Sequence, residues 1–529
     1  MTTESRLSQR SGASTLYRGG TVHTAADPFA TAFVVADNQI AWIGTDQAAA
    51  GHADGVGEVV ELDGALVTPT FVDAHVHTSA TGLGLRSVEL TRASSLRQVL
   101  DTIEQAARKR AGRPVYAPNW DEQNWPERRP ATGNELDRAT YGGVVYSPRV
   151  DGHSAVISSA LAAASGARNH PGWSDSGLVT REAHHAARDA FYSGISAADR
   201  RGDITAALVA AAAAGIGLVH ECGGPTLSSE ADFADVLAAG RRGTGAQVVG
   251  YWAELVGDQE SARGLATRMG ARGLGGDLNI DGSIGSRTAS LREPYEDDPG
   301  HCGYPYLSVE QVRDHVAACS LAGIQAGFHV IGDAGADTVI AGFRAAADLV
   351  GAGAVVKARH RLEHLEMVDV DGIKALVGLG VTASVQPAFH ALWGGPTGMY
   401  AARLGHQRTD AMNPFATMHA AGMSLALGSD TPVTPFAPWR AIRDCVNHHD
   451  PSQRLPAEQA FRAHTRGGWR AAGFDDRGYL GIGQPASFAL WSAGLTPAGL
   501  PNLSPGAALP SNLRTVIRGR TVFDLEGVS

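Results

Sequence analysis

Along the first stretch of the chain, apolar residues come in short runs broken by turn residues. Residues 16–24 (LYRGGTVHT), 29–36 (FATAFVVA) and 39–44 (QIAWIG) are separated by Asp27-Pro28 and Asp37-Asn38, which predicts short β-strands. The far end has the same texture: 486–494 (ASFALWSAG) and 513–524 (LRTVIRGRTVFD), the latter with a turn at Arg518-Gly519. The middle differs in kind. Helical patterns at 205–215, 309–323, 336–351, 370–380 and 413–422 each precede an apolar run, namely IGLVHE, IQAGFHVIG, VVKARHRLEH, VTASVQP and MSLALGSD. Four of these helices are expected to end at a glycine, Gly215, Gly323, Gly380 or Gly422. Repeated βα units of this kind predict a parallel sheet. The expected organisation is a β-rich unit assembled from 1–67 and 475–529, clamping an α/β domain over 68–474. Between about 120 and 200 the rhythm breaks into Pro-, Gly-, Asn- and Trp-rich text, read as loops or an inserted subdomain.

Composition narrows the class. The chain has 529 residues, 43% hydrophobic and 19% charged, enough for a large core, so disordered and fibrous classes are excluded. A net charge of −10 without a basic stripe argues against a nucleic-acid partner. Four cysteines without CxxC spacing do not make a disulfide scaffold. The N-terminal segment lacks the apolar run of a secretory signal, and the small-apolar stretch 206–215 is too short to span a bilayer. A cytoplasmic protein with a small-molecule partner and no membrane partner is expected; homo-oligomerisation stays open.

Candidate chemistry concentrates where the apolar runs end. In TPTFVDAHVHT, alternation along a strand places Asp73, His75 and His77 on one face, and two imidazoles so spaced can converge on one divalent ion. His329 ends FHVIGD, His364 ends RLEH and Asp430 ends ALGSDTP. In a barrel of parallel strands, such ends meet at the C-terminal face, where active sites lie. Taken singly, each residue is as well explained as a helix cap or a hydrogen-bonded core histidine. Four strand ends in order, each closing on a ligand-type residue, make a shared site the better account.

These segments, with VDGHSAVISSAL (150–161) and DGSIGSRTASLREPYEDDPG (281–300), resemble the amidohydrolase superfamily, in particular its amidohydrolase-3 (YtcJ-like) branch, which includes N-substituted formamide deformylases. The similarity runs over about 16–524. It implies a distorted (β/α)8 TIM barrel with a small β-sandwich formed by both termini, and a hydrolase dependent on one or two divalent ions, zinc first. It also implies that His75 and His77 are metal ligands from the first strand, and that His329 and His364 belong to the fifth and sixth. Asp430, from the eighth strand, would bind metal and move the proton of the attacking water.

One departure matters. Many relatives carry a lysine four residues before the Asp-Gly of the DGS segment, whose carbamate bridges two metals; here Asp277 stands there. The chain has only Lys109, Lys357 and Lys374. The first and last lie in helical patterns. Lys357, on the strand expected to end at His364, would sit about 23 Å away at roughly 3.3 Å per residue. Either Asp277 bridges two ions, or one ion is held by His75, His77, His329 and Asp430 while His364 polarises the carbonyl. Four ligands satisfy zinc, which favours the single ion; Asp277 as a turn or helix-cap residue is the third account. His153, Arg287 and Tyr295 are weaker substrate-binding candidates. His220-Glu221 and Asp73 are candidates for supporting the ligands, and Trp120, Trp125, Trp173 and Trp393 for a pocket wall or core packing. The expected activity is hydrolysis of a non-peptide C–N bond in a small amide, such as an N-substituted formamide. A deaminase, cyclic amidase or esterase on the same site, and a metal-free scaffold, are the alternatives.

Overall fold

The computed structural model describes residues 14–525 except 89, 111, 497 and 498; the N-terminal segment read for a signal lies outside them. Eight parallel strands form the central sheet in sequential order: β1 (Phe71–Val76), β2 (Ile216–Gly223), β3 (Gln247–Trp252), β4 (Gly273–Leu274), β5 (Gln325–Val330), β6 (Arg361–His364), β7 (Thr382–Val385) and β8 (Ser424–Leu427). Phe71, Val76, Ile216, Val219, Leu274, Phe328, Leu362, Val385 and Leu427 are buried in its core. Each crossover carries a helix, as a parallel sheet requires. The helix Val309–Ala322 ends on Gly323 in the left-handed region (φ 70°), the cap expected there.

The sheet is a nearly closed barrel. Asp430 N donates to His75 O (2.9 Å) and His77 N to Thr431 O (3.0 Å), joining β1 to the chain leaving β8. That approach needs glycine at 428, where a Cβ would lie 2.8 Å from His75 N. Asp73 reinforces the seam: its carboxylate accepts from Ser429 N at 2.8 Å and His75 N at 3.3 Å. It therefore supports the His75 backbone and not the imidazole rings.

Two smaller sheets pack on one another beside the barrel. One contains Ser14–Arg18, Ala32–Ala36, Gln39–Gly44 and Glu58–Glu61; the other joins Thr21–Val22 and Leu66–Pro69 to Phe488–Ser492, Ser511–Ile517 and Arg520–Asp524. Phe33, Ile40 and Val67 share their core with Phe488, Leu490 and Val516, so both ends of the chain bury one another's apolar faces.

The irregular segment near 120–200 is folded. Val115–Tyr116, Val145–Pro148, Ser154–Ile157 and Leu178–Thr180 form a four-stranded sheet. Trp120 and Trp125 are buried under it, with helix residues Leu96, Val99 and Ile103. Their indole N–H groups donate to Ser147 O and Ala93 O, so these tryptophans are core and not pocket wall.

One expectation is corrected. The Val355-Val356 pair suggested a strand running through Lys357, but Ala352–Ala358 is a helix, capped by Arg359 in the left-handed region (φ 55°). β6 begins only at Arg361, and Lys109, Lys357 and Lys374 all lie exposed on helices. Among the described residues no single helix is long and apolar enough to cross a membrane.

Candidate metal centre

The C-terminal ends of β1, β5, β6 and β8 bring their polar residues to one mouth. His75 is on β1, with His77 one residue beyond its end; His329 is on β5; His364 closes β6; Asp430 follows β8 by three residues. Two of these positions are bent into the left-handed region, His364 at φ 69° and Asp430 at φ 54°. Such backbone costs of the order of 1–3 kcal/mol for a non-glycine residue and clusters at functional sites.

Asp277, just beyond β4, lies at the centre. Its carboxylate is 3.3 Å from His75 Nε2, 3.1 Å from His77 Nε2 and 3.7 Å from His364 Nε2. Asp430 Oδ1 is 3.2 Å from His77 Nε2 and 3.6 Å from His75 Nε2. The ligand atoms of His75, His77 and Asp277 lie within 4.8 Å of one another, as do those of Asp277, His329 and His364, and those of His75, His364 and Asp430. Asp277 is thus shared between the His75–His77 pair and the His329–His364 pair. His329, whose ring stacks edge-on against His364 at 4.4 Å, belongs to the second pair.

Partners behind the ligands aim them. His75 Nδ1 is 2.9 Å from Glu363 Oε2, His77 Nδ1 is 3.0 Å from Cys222 O, and His364 Nδ1 is 2.7 Å from Gln386 Oε1. Each partner offers an acceptor, so Nδ1 carries the hydrogen and the Nε2 lone pair faces the centre. Glu363 is anchored by Arg361, whose Nε donates to Oε1 at 2.5 Å and Nη2 to Oε2 at 2.9 Å. Arg361 Nη2 also donates to Ala74 O at 2.6 Å and Ser384 Oγ at 3.0 Å, and its Nη1 to His220 Nδ1 at 3.0 Å. Glu221 faces the other way and accepts from Thr78 N at 2.8 Å.

The donor set fits a divalent cation. His75 Nε2, His329 Nδ1, Asp277 Oδ1 and Asp430 Oδ1 are buried without a hydrogen-bond partner. Buried polar atoms rarely stay unpaired, and imidazole nitrogen with carboxylate oxygen is a zinc-type set. Without the ion the cluster holds protons instead. Burial disfavours a charged His77, but the adjacent carboxylates of Asp277 and Asp430 outweigh it and push the ring up to about 10. Burial alone would raise Asp277, yet the charge of His75 and the closeness of the His364 and His77 rings hold it well below the usual carboxylate range.

A cavity opens from these ligands between the barrel mouth and the inserted sheet. Its lining includes His77, Asp277, His364 and Asp430 on one side and Arg149, Asp151, His153 and the helix Arg181–Ser193 on the other. His153 stands against His329, with ring centroids 4.9 Å apart. A buried ionic network fixes the insertion in place: Arg149 pairs with Glu122 (2.9 Å), Asp121 (3.0 Å) and Asp151 (3.1 Å), and Arg403 reaches Glu122 at 3.2 Å. Arg287 and Tyr295 do not line the cavity. Arg287 pairs with Asp297 at 2.7 Å, and the Tyr295 hydroxyl donates to Ala289 O at 2.9 Å.

Residues 58–523 match the family described as the amidohydrolase family. The chain belongs to that family. It is an enzyme, a hydrolase acting on carbon–nitrogen bonds, in the YtcJ-like branch. It is 25% identical over 526 residues to putative amidohydrolase YtcJ of Bacillus subtilis, covering 88% of this chain and 90% of that one. It is 24% identical over 485 residues to N-substituted formamide deformylase of Arthrobacter pascens, covering 82% and 85% respectively. An uncharacterized metal-dependent hydrolase from Pyrococcus furiosus superposes with a TM-score of 0.70 at 22% identity, covering 90% of this chain and 98% of that chain. This amidohydrolase therefore has the family's barrel, with Asp277 just beyond β4 at the centre of its mouth.

Arg361, Glu363, Gln386 and Cys222 were not singled out from the sequence. Alternation within RLEH places Arg361 and Glu363 on one face of β6, which was a usable signal. For Gln386 and Cys222 no local signal exists, because their partners come from other strands.

Proposed function

We propose that this amidohydrolase cleaves a non-peptide C–N bond in a small amide, an N-substituted formamide or a close relative, with zinc as its metal. The observation that carries the proposal is the convergence of His75, His77, Asp277, His329, His364 and Asp430 at one mouth, with buried donor atoms left unpaired among them. Because Asp277 is common to both histidine pairs, the geometry favours two cation positions sharing its carboxylate over a single four-ligand ion. His75, His77, Asp277 and Asp430 would hold one, and Asp277, His329 and His364 the other. Bound there, the cations would lower the pKa of water and polarise the scissile carbonyl.

The chain's own residues do the rest. Asp430 accepts a proton from the attacking water and returns it to the leaving nitrogen, so one carboxylate serves both halves of the reaction. Gln386 holds the His364 ring so that Nε2 faces the carbonyl side of the centre. The inserted sheet covers the mouth and limits bulk water. Metal analysis tests the centre: about two divalent ions per chain are expected, and Asp277→Ala should leave one or none. An unchanged content in Asp277→Ala would rule out sharing. A screen of formamides, other small amides and lactams with zinc-loaded protein tests the reaction, and turnover of esters or aminated rings alone would redirect it.

A further inference from the structure

One wall of the cavity is cationic in a way the chemistry at the centre does not use. It is formed by one stripe of the helix Arg181–Ser193: Arg181, His184, His185 and Arg188 are spaced i, i+3, i+4, i+7, and all four line the cavity. The two arginines sit about 10 Å apart along the axis at 1.5 Å rise per residue. Burial, with the nearby charge of Arg188, pushes His185 down to about 3 and holds His184 well below the usual range, so both rings are neutral. The Tyr146 hydroxyl, 2.8 Å from His184 Nε2, completes a polar wall. The standing charge is that of the two guanidiniums.

Those guanidiniums are under-compensated. Arg149, in the same cavity, is neutralised by three carboxylates within 3.1 Å. Arg188 has no ion-pair partner among the described residues. It donates through Nη2 to the Thr226 carbonyl, and its Nε is buried without a partner. Arg181 has only Glu182, at 3.8 Å and half exposed, and its Nε is likewise buried and unpartnered while its guanidinium stacks on Tyr304 at 4.2 Å. A buried guanidinium N–H without an acceptor is disfavoured unless something supplies one, and each arginine carries such an Nε. The cavity is continuous from these arginines to Asp277, His364 and Asp430, so one molecule can span both ends.

We infer that the insertion selects substrates by charge: the amide bears a carboxylate several bonds from the scissile carbon, and Arg188 with Arg181 receives it. This rests on the C–N hydrolysis reading for the reacting end but not for the anion site itself, and the experiment separates the two. With zinc-loaded enzyme at low ionic strength, kcat/KM is compared for 6-formamidohexanoate and N-hexylformamide. In parallel, calorimetry compares hexanedioate with hexanoate, neither of which can be hydrolysed. Wild type should favour the charged substrate, and the diacid over the monoacid, by about tenfold or more, and salt should weaken both preferences. Arg188→Gln and Arg181→Gln should each lower both ratios several-fold, whereas Arg188→Lys, which keeps the charge, should retain most of them. Thermal melts confirm that each variant is folded. Preference for the diacid without turnover of either formamide sinks the hydrolysis reading and leaves the anion site standing. Wild-type ratios near one, or ratios that Arg188→Gln and Arg181→Gln leave intact, overturn the inference.

Discussion

Two charged clusters are buried a few residues apart in this barrel, and they differ in how they are satisfied. In the interior, the Arg361 guanidinium donates to Glu363, Ala74 O, Ser384 and His220, and lies over the Tyr251 ring at 4.4 Å. At the mouth, His75, Asp277 and Asp430 each keep a buried atom without a hydrogen-bond partner. Burial costs both clusters, but the Arg361–Glu363 pair of the interior recovers that cost from the protein itself. A saturated cluster holds the fold; an unsaturated one is built for something that arrives. His75 belongs to both, with Nδ1 turned to Glu363 and Nε2 to the mouth.

That contrast can be broken from either side. The largest effect is expected at the mouth. Asp430→Asn removes the proton acceptor and a metal-facing oxygen, and kcat for any amide substrate should fall by about 10³-fold or more, measured with zinc in excess. The interior should show its effect in stability instead. Arg361→Met leaves the buried Glu363 carboxylate with His75 Nδ1 as its remaining partner and should cost about 3–5 kcal/mol in denaturant unfolding. A loss below about 1 kcal/mol would mean that the interior is not the structural partner it is taken to be.

Between the two lies Glu363→Gln, which keeps the size of the side chain while weakening its hold on His75. Zinc affinity by competition with a chelator should drop about 10- to 100-fold. The smallest effect belongs to the insertion, far from either cluster. Glu135 closes a capping box with Thr132 and pairs with Arg129, bonds that hold its carboxyl down to about 2. A depressed carboxylate stabilises the fold above its unfolded value of 4.5, and that contribution is lost as pH falls towards about 2. Glu135→Ala should therefore cost about 1 kcal/mol at neutral pH, a difference that shrinks progressively below pH 4.5. An equal cost at both ends of that window would assign the whole effect to the neutral cap.

The barrel was legible because βα alternation is written locally: an amphipathic helix, a glycine and an apolar run recur without reference to the rest of the chain. The ligand-bearing strand ends, His75-x-His77, His329, His364 and Asp430, were legible for the same reason. Lys357 misled because two adjacent valines carry a strand preference that a short helix, closed by Arg359, overrides. The inserted sheet was obscured by strands of two to four residues, too short to show alternation.

The sequence by itself determined which residues are of ligand type, which face of each strand they occupy, and that no lysine stands where Asp277 does. Only the tertiary structure decided that Asp277 touches both histidine pairs, that Glu363 supports His75 across the barrel, and that Arg181 and Arg188 look into the same cavity. The reason is physical. Periodicity fixes the direction of a side chain relative to its own backbone, whereas its neighbours across a barrel depend on strand register and closure, which no single segment encodes.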